Sequence, residues 1–240
     1  MWSVRFLKNS CVLFVNLAEL PATIKPLRAF YTTPIPIMTF KKFTGGPLDT
    51  NAYFFDTPSG NLLFDAPEGS DAHFAEKKID WLLLTHGHFD HVMDAAKIQR
   101  RHGCRVAFHP DTVPMLVDGS FFKKYGFDIQ YEPCSADLLL EEGGTREICG
   151  LNISCLHVPG HCPGSLCFHF SEEGLLVAGD VLFREGVGRW DLPSGDGPLL
   201  FEGIRKKIFP LDPATRVLPG HGPETTIGHE IERNPFLSNI

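Results

Sequence analysis

The stretch "LLLTHGHFDHVMD", Leu82 to Asp94, decides how the rest of the chain is read. Its first half is an apolar run of the kind that forms a buried strand. Its second half sets three histidines and an aspartate within six positions. A strand that ends in such a burst of polar side chains either leads into a loop with an accidental cluster or delivers groups to one site. The choice rests on whether other strand ends supply partners.

Three do. His161 follows "HVPG", Asp180 follows "LLVAG" and His221 follows "RVLPG", so a glycine directly precedes each polar residue. Glycine there lets the backbone turn sharply and approach a site closely. With His86, His88, Asp90 and His91 these make seven candidate metal ligands. Neutral imidazole and carboxylate suit zinc, iron or manganese. Four ligands fill one tetrahedral site, and seven are too many for it. Two divalent ions sharing one carboxylate use the whole set, and water held between them becomes a nucleophile near neutral pH.

The frame around these residues alternates strands with turns and helices. "AYFFDT" and "LLFDA" read as a hairpin with Gly60 and Asn61 in its turn. A helix is expected over Ser70–Lys78, a strand over Ile79–His86, and a helix over Asp90–Arg101 with Asp90 as its cap. "CRVAFH" is a strand. The second half restarts the pattern with "LNISCLHVPG", "SLCFHF", "GLLVAGD", a helix over Leu199–Ile208 and the strand "TRVLPGHG". Two halves of similar element order predict mixed sheets buried under outer helices.

Composition narrows the function. The 240 residues are enough for one large domain, and 43% hydrophobic with 21% charged residues is ordinary for a globular chain. A net charge of −7 argues against nucleic acid as a partner, and no apolar stretch is long enough to span a membrane. Residues 1–37 carry Arg5, Lys8, Lys25 and Arg28 against Glu19, a net of +3, so the remainder carries −10. That basic leader, with "RAFYTT" at Arg28–Thr33, reads as a mitochondrial targeting segment, with a plastid or cytoplasmic location as alternatives, followed by a domain over residues 38–240. The cysteines at 11, 104, 134, 149, 155, 162 and 167 lack framework spacing and read as free thiols.

The quartet "HGHFDH", with "HVPGHCPGS", "LLVAGD" and "PGHG" following in order, resembles the metallo-β-lactamase superfamily over residues 39 to about 236. The resemblance implies an α/β fold, a four-layer αββα sandwich of two mixed β-sheets. It assigns His86, His88 and His161 to a first metal, Asp90, His91 and His221 to a second, and Asp180 to the bridge. Zinc is the expected ion, with iron or manganese as alternatives. Asp90 would also orient the nucleophile, a catalytic role.

"VLFREGVGRWDLPSGD" and "PGHGPETTIGHEIERNPF" resemble the short glyoxalase II-like hydrolases. That implies hydrolysis of acyl thioesters such as S-lactoylglutathione, in which the thiolate leaves without a dedicated acid. Full-length glyoxalase II adds C-terminal contacts to glutathione, whereas 19 residues follow His221 here, so the expectation is that those contacts are missing. Arg189 in "GRWD" is the leading candidate for a substrate contact, ahead of Arg184, Lys123, Lys124 and Tyr125. A mononuclear iron persulfide dioxygenase is the main alternative, and a lactonase or another ester hydrolase a further one. His73, His102, His109, His169 and His229 are expected on the surface or in packing, His157 either behind the site or in the core, and Cys162 in packing.

Overall fold

The computed structural model describes residues 39–117, 120–123, 126 and 128–238, together with the strands β1 (Ser3–Leu7) and β2 (Ser10–Phe14). The chain divides into two compact units, residues 1–35 and 36–240. In the first, β1 and β2 pair antiparallel with Leu7 opposite Ser10. The "RAFYTT" stretch of the expected targeting segment, Arg28–Thr33, lies outside the described residues. Among the described residues, no helix is long and apolar enough to cross a membrane.

The second unit opens with the strands β3 (Thr39–Gly45), β4 (Thr50–Thr57), β5 (Gly60–Phe64), β6 (Trp81–Leu83), β7 (Arg105–Phe108) and β8 (Leu138–Leu139), which form one six-stranded sheet in that order. The first three run antiparallel and the last four parallel, so the sheet is mixed. The strands β9 (Thr145–Ile148), β10 (Leu151–His157), β11 (Leu166–Phe170) and β12 (Leu175–Gly179) begin a second sheet. A short ribbon, β13 (Leu182–Phe183) and β14 (Gly186–Val187), follows. Then β15 (Arg216–Pro219) and β16 (Thr225–Thr226) complete the second sheet in the order β16-β15-β12-β11-β10-β9. It too is mixed, because β12 and β15 run parallel.

Three apolar layers hold the assembly together, and the period of two along each strand creates them. On β4, Tyr53 and Phe55 face the second sheet, where Phe55 stacks on Phe170 with ring centroids 5.5 Å apart. Ala52 and Phe54 on the same strand point the other way, against Phe74, Ala95 and Ile98 of the helical layer. On the far side, Leu176 and Val217 face Leu200, Ile204 and Ile227 of another helical layer. Helix, sheet, sheet, helix is the four-layer αββα sandwich that the family resemblance implied.

Four local expectations need correction. The β4–β5 turn is Pro58–Ser59, and Gly60 and Asn61 already pair with Thr57 and Asp56. The helix expected over Ser70–Lys78 is one turn, α1 (Ser70–His73), because the polar run after buried Phe74 has no apolar stripe to hold it on the sheet. The helix expected over Asp90–Arg101 is two, α2 (Phe89–Val92) and α3 (Ala95–His102). Asp90 therefore caps nothing, and its carboxylate turns inward. Asp94 sits at the break and accepts from the N–H groups of Gly69 and Asp71 at 2.8 and 3.2 Å, tying the α2–α3 junction to α1.

After β7 come α4 (Val113–Leu116) and α5 (Ser120–Lys123). The helix expected over Leu199–Ile208 is α6 (Gly197–Gly203), continued by a wider π-helical turn at Ile204–Ile208 and capped by Asp196, which accepts from Leu199 N–H at 3.0 Å. The last helix is α7 (Ile227–Arg233). Its buried Glu230 accepts from Glu185 N–H, Thr225 Oγ1–H and Asn234 Nδ2–H. The "GHEIERNPF" segment thus pins the β13–β14 turn rather than facing a ligand.

Candidate metal centre

All seven candidate ligands come together where the strands of both sheets end. The first sheet supplies four of them from the single connection after β6. The second supplies His161 from the loop after β10, Asp180 directly after β12 and His221 two residues past the end of β15. The glycines that precede two of these are needed for closeness. A Cβ on Gly220 would lie 2.1 Å from Asp180 Oδ1, and one on Gly179 (φ +50°) would lie 2.6 Å from the Thr85 side chain.

The first cluster is a triangle of nitrogens. His86 Nε2 and His88 Nδ1 are 3.2 Å apart, His88 Nδ1 and His161 Nε2 2.8 Å, and His161 Nε2 and His86 Nε2 3.2 Å. Two of the three are held as bare lone pairs by what their other nitrogen does. His161 Nδ1–H donates to the Arg189 carbonyl at 2.7 Å. Thr85 Oγ1–H donates to Asp65 at 2.8 Å, so its oxygen takes the proton of His86 Nδ1 at 3.1 Å. Lone pairs this close repel, and a cation held by all three nitrogens would relieve them.

The second cluster gathers Asp90 Oδ2, His91 Nε2 and His221 Nε2. Asp90 Oδ2 lies 3.4 Å from His91 Nε2 and 3.3 Å from His221 Nε2. Here too the far nitrogens are engaged: His91 Nδ1 with Asp65 Oδ2 at 2.8 Å, and His221 Nδ1 with the Leu48 carbonyl at 3.0 Å. Asp180 spans both clusters, with Oδ2 3.5 Å from His161 Nε2 and 3.4 Å from His221 Nε2, and Oδ1 3.2 Å from His91 Nε2. His91 Nε2 and Asp180 Oδ1 are buried facing each other, yet neither makes a well-formed hydrogen bond with any described residue. A buried donor set with such orphaned atoms fits metal ions.

Electrostatics divides the clusters. Burial, followed by the neighbouring rings, holds His86 far below the usual imidazole range and His88 down to about 3, so the first cluster is a set of neutral donors. In the second, burial opposes protonation of His91, yet Asp90, Asp180 and Asp65 together raise it well above the usual range. His221 rises to about 10 against its own burial, through its bonds to Asp180 and Asp90. Burial works against ionisation of Asp90 as well, but the charge on His91 holds it down to about 2. The carboxylates therefore make a field that demands positive charge, whether as protons on the rings or as a bound cation.

Several supporting residues escaped sequence reasoning. Asp65, the penultimate residue of "LLFDA", braces both clusters: it binds His91 directly and His86 through Thr85, whose N–H it also takes at 2.7 Å. Thr50 Oγ1–H donates to Asp90 Oδ2 at 2.6 Å. Asn51 Nδ2–H groups reach the Pro219 and Gly222 carbonyls, both at 3.0 Å, and Tyr53 O–H reaches Pro219 O at 2.8 Å, clamping the His221 loop to the first sheet. Their signal in the sequence was polar residues at a buried strand start, "TNAY", which periodicity alone does not flag.

The other candidates fall outside the clusters. Arg189 lines the cavity above the site, but its guanidinium is paired with Asp191 by two bonds of 2.9 Å. Its carbonyl, by contrast, orients His161. Lys123 and Arg184 are exposed and do not line the cavity, and Lys124 and Tyr125 lie outside the described residues. His157 sits behind the site: its Nε2–H donates to Pro163 O at 2.7 Å, closing the loop that carries His161. His109 stacks on it at 3.9 Å, and parallel rings do not aim their in-plane lone pairs at one point. Cys162 is fully buried against Met115, and burial pushes its thiol up to about 11.

Comparison with known proteins agrees with this geometry. The metallo-beta-lactamase superfamily domain matches residues 45–221, and the chain belongs to that superfamily. The probable metallo-hydrolase YqgX of Bacillus subtilis is 35% identical over 213 residues, covering 85% of this chain and 99% of that protein. The hydroxyacylglutathione hydrolase GloC of Haemophilus influenzae is 36% identical over 164 residues, 66% of this chain and 76% of that protein. Among solved structures, the B3 metallo-beta-lactamase BLEG-1 superposes with a TM-score of 0.78 at 34% identity, covering 84% of this chain and all of that one. TTHA1623, in a di-iron-bound form, gives 0.73 at 37% identity over 82% of this chain and 100% of that one. The chain is an enzyme of a metal-binding hydrolase family.

Proposed function

We propose that the chain is a binuclear metal-dependent hydrolase of acyl thioesters. The observation that carries the reading is the pair of ligand clusters joined by Asp180 at the floor of an open cavity. His86, His88 and His161 would hold one divalent ion, Asp90, His91 and His221 the other, with Asp180 between them. Zinc suits the nitrogen-rich set, and iron is the ion in the solved relative TTHA1623. A bound ion pair supplies Lewis-acid activation of water and of a carbonyl.

The protein's own groups supply the rest. Asp90, fixed by Thr50, presents an acceptor oxygen where an attacking water would be oriented. Asp65, Arg189 O and Leu48 O set the tautomers of the surrounding rings. Among the described residues lining the cavity, every titratable one apart from paired Arg189 belongs to the ligand set, and none of them is a spare acid placed to protonate a leaving group. A thiolate leaves without one, whereas an alkoxide or amine does not leave readily. The likeness to GloC favours the same class.

The test is an assay of the purified, metal-analysed protein on S-lactoylglutathione and simple acyl thioesters, with a lactone, a β-lactam and glutathione persulfide alongside. Thioester hydrolysis with two ions per chain is the expected result. Oxygen consumption on the persulfide with a single iron would replace this reading with the dioxygenase. Turnover confined to the lactone or β-lactam would also overturn it.

A further inference from the structure

We infer that the acyl group accepted here is a hydrophobic chain or ring rather than the hydroxyacyl group of a glutathione ester. This rests on the thioester reading above. The cavity over the two clusters measures about 690 Å³, ample for a drug-sized ligand. Its polar groups lie at the floor and, apart from Arg189, are the candidate ligands themselves. The walls are apolar, built mainly from Phe89, Phe121, Phe122, Ile129, Phe183 and Leu192.

The aromatic wall begins at the ligands. Phe122 lies 6.3 Å, centroid to centroid, from His88, and Phe89 and Phe121 pack on it at 6.2 and 5.2 Å. On the opposite cluster, Phe183 stands edge-on to His221 at 5.9 Å. A carbonyl placed between the clusters therefore has carbon surface beside its acyl substituent. Glutathione, in contrast, carries two carboxylates and an ammonium group that need charged partners. Among the described lining residues the one arginine is already held by Asp191. The walls reward a hydrocarbon substituent and offer little to an α-hydroxyl or a charged tripeptide.

The reaction is ordinary hydrolysis. A water oxygen forms the new C–O bond, the C–S bond breaks with its electron pair going to sulfur, and the water's proton ends on the thiolate or in solvent. The products are a carboxylic acid and a thiol.

The test is a series of N-acetylcysteamine thioesters (acetyl, butanoyl, hexanoyl, octanoyl) and S-lactoylglutathione, assayed on the metal-loaded protein. We expect kcat/KM to rise about two- to fourfold per methylene that enters the cavity, and octanoyl to surpass S-lactoylglutathione. A second readout needs no turnover: S-octyl-N-acetylcysteamine, a thioether that cannot be hydrolysed, should bind by calorimetry at least tenfold tighter than its S-methyl counterpart. Phe121→Ser, at a half-buried wall position, should shrink both ratios. Turnover of thioesters with a flat or falling chain-length profile, or a preference for S-lactoylglutathione, overturns this inference and leaves the hydrolase reading standing. No turnover of any thioester overturns both.

Discussion

The two sheets build the same centre in different ways. The first delivers His86, His88, Asp90 and His91 from one connection, with Asp65 and Thr50 behind them on neighbouring strand ends. The second delivers His161, Asp180 and His221 singly, from three strand ends that only the β10-β11-β12-β15 order brings side by side. A local motif fixes the spacing of a ligand group, but a shared site needs a residue that both clusters touch. Asp180 is that residue, and it comes from the dispersed half.

The largest effect should follow from removing it. Asp180→Ala is expected to cost both metals and at least about a thousandfold in activity, because neither cluster then has a shared carboxylate. Metal analysis beside the assay checks this, and retention of two ions would break the comparison. Asp65→Asn acts on the first sheet's bracing. It keeps the shape but loses one acceptor oxygen for the protons of His91 and Thr85, so metal affinity should fall about 10- to 100-fold. Affinities measured by competition with a chelator would show it, and an unchanged value would mean the rings hold their orientation unaided.

Tyr53→Phe removes a buried hydroxyl that joins the first sheet to the His221 loop through Pro219 O. A loss of about 0.5–1.5 kcal/mol in urea unfolding is expected, since the carbonyl keeps Asn51 as a partner. The smallest effect is none at all. Cys162, with its thiol raised to about 11 by burial, stays protonated below that pH, so iodoacetamide at pH 8 should leave it unlabelled in the folded protein. Rapid labelling would mean that the loop beside His161 opens.

How far the sequence could be read follows the same division. The strand that ends in "HGHFDH" was legible because an apolar run and its cargo are contiguous. The second-sheet ligands were legible only because each follows a strand and a glycine, a pattern that recurs three times. Mixed sheets under outer helices followed from apolar strands alternating with helical segments, and the four-layer order from the family resemblance. Helix limits did not. Asp90 sits where a cap would be expected, yet tertiary contact with Thr50 claims its carboxylate, and the helix breaks at Asp94 instead. Asp65, Thr50 and Asn51 were invisible because their partners are fixed by strand pairing across the two sheets, not by spacing. Arg189 was read for its charge, and its carbonyl turned out to be the group that bears on the site.

The most direct test of the shared centre is native mass spectrometry of the zinc-reconstituted protein and of His221→Ala. The account expects two ions on the parent chain and one on the variant, since His86, His88 and His161 form a cluster that does not use His221. A parent chain that saturates at a single ion would contradict it.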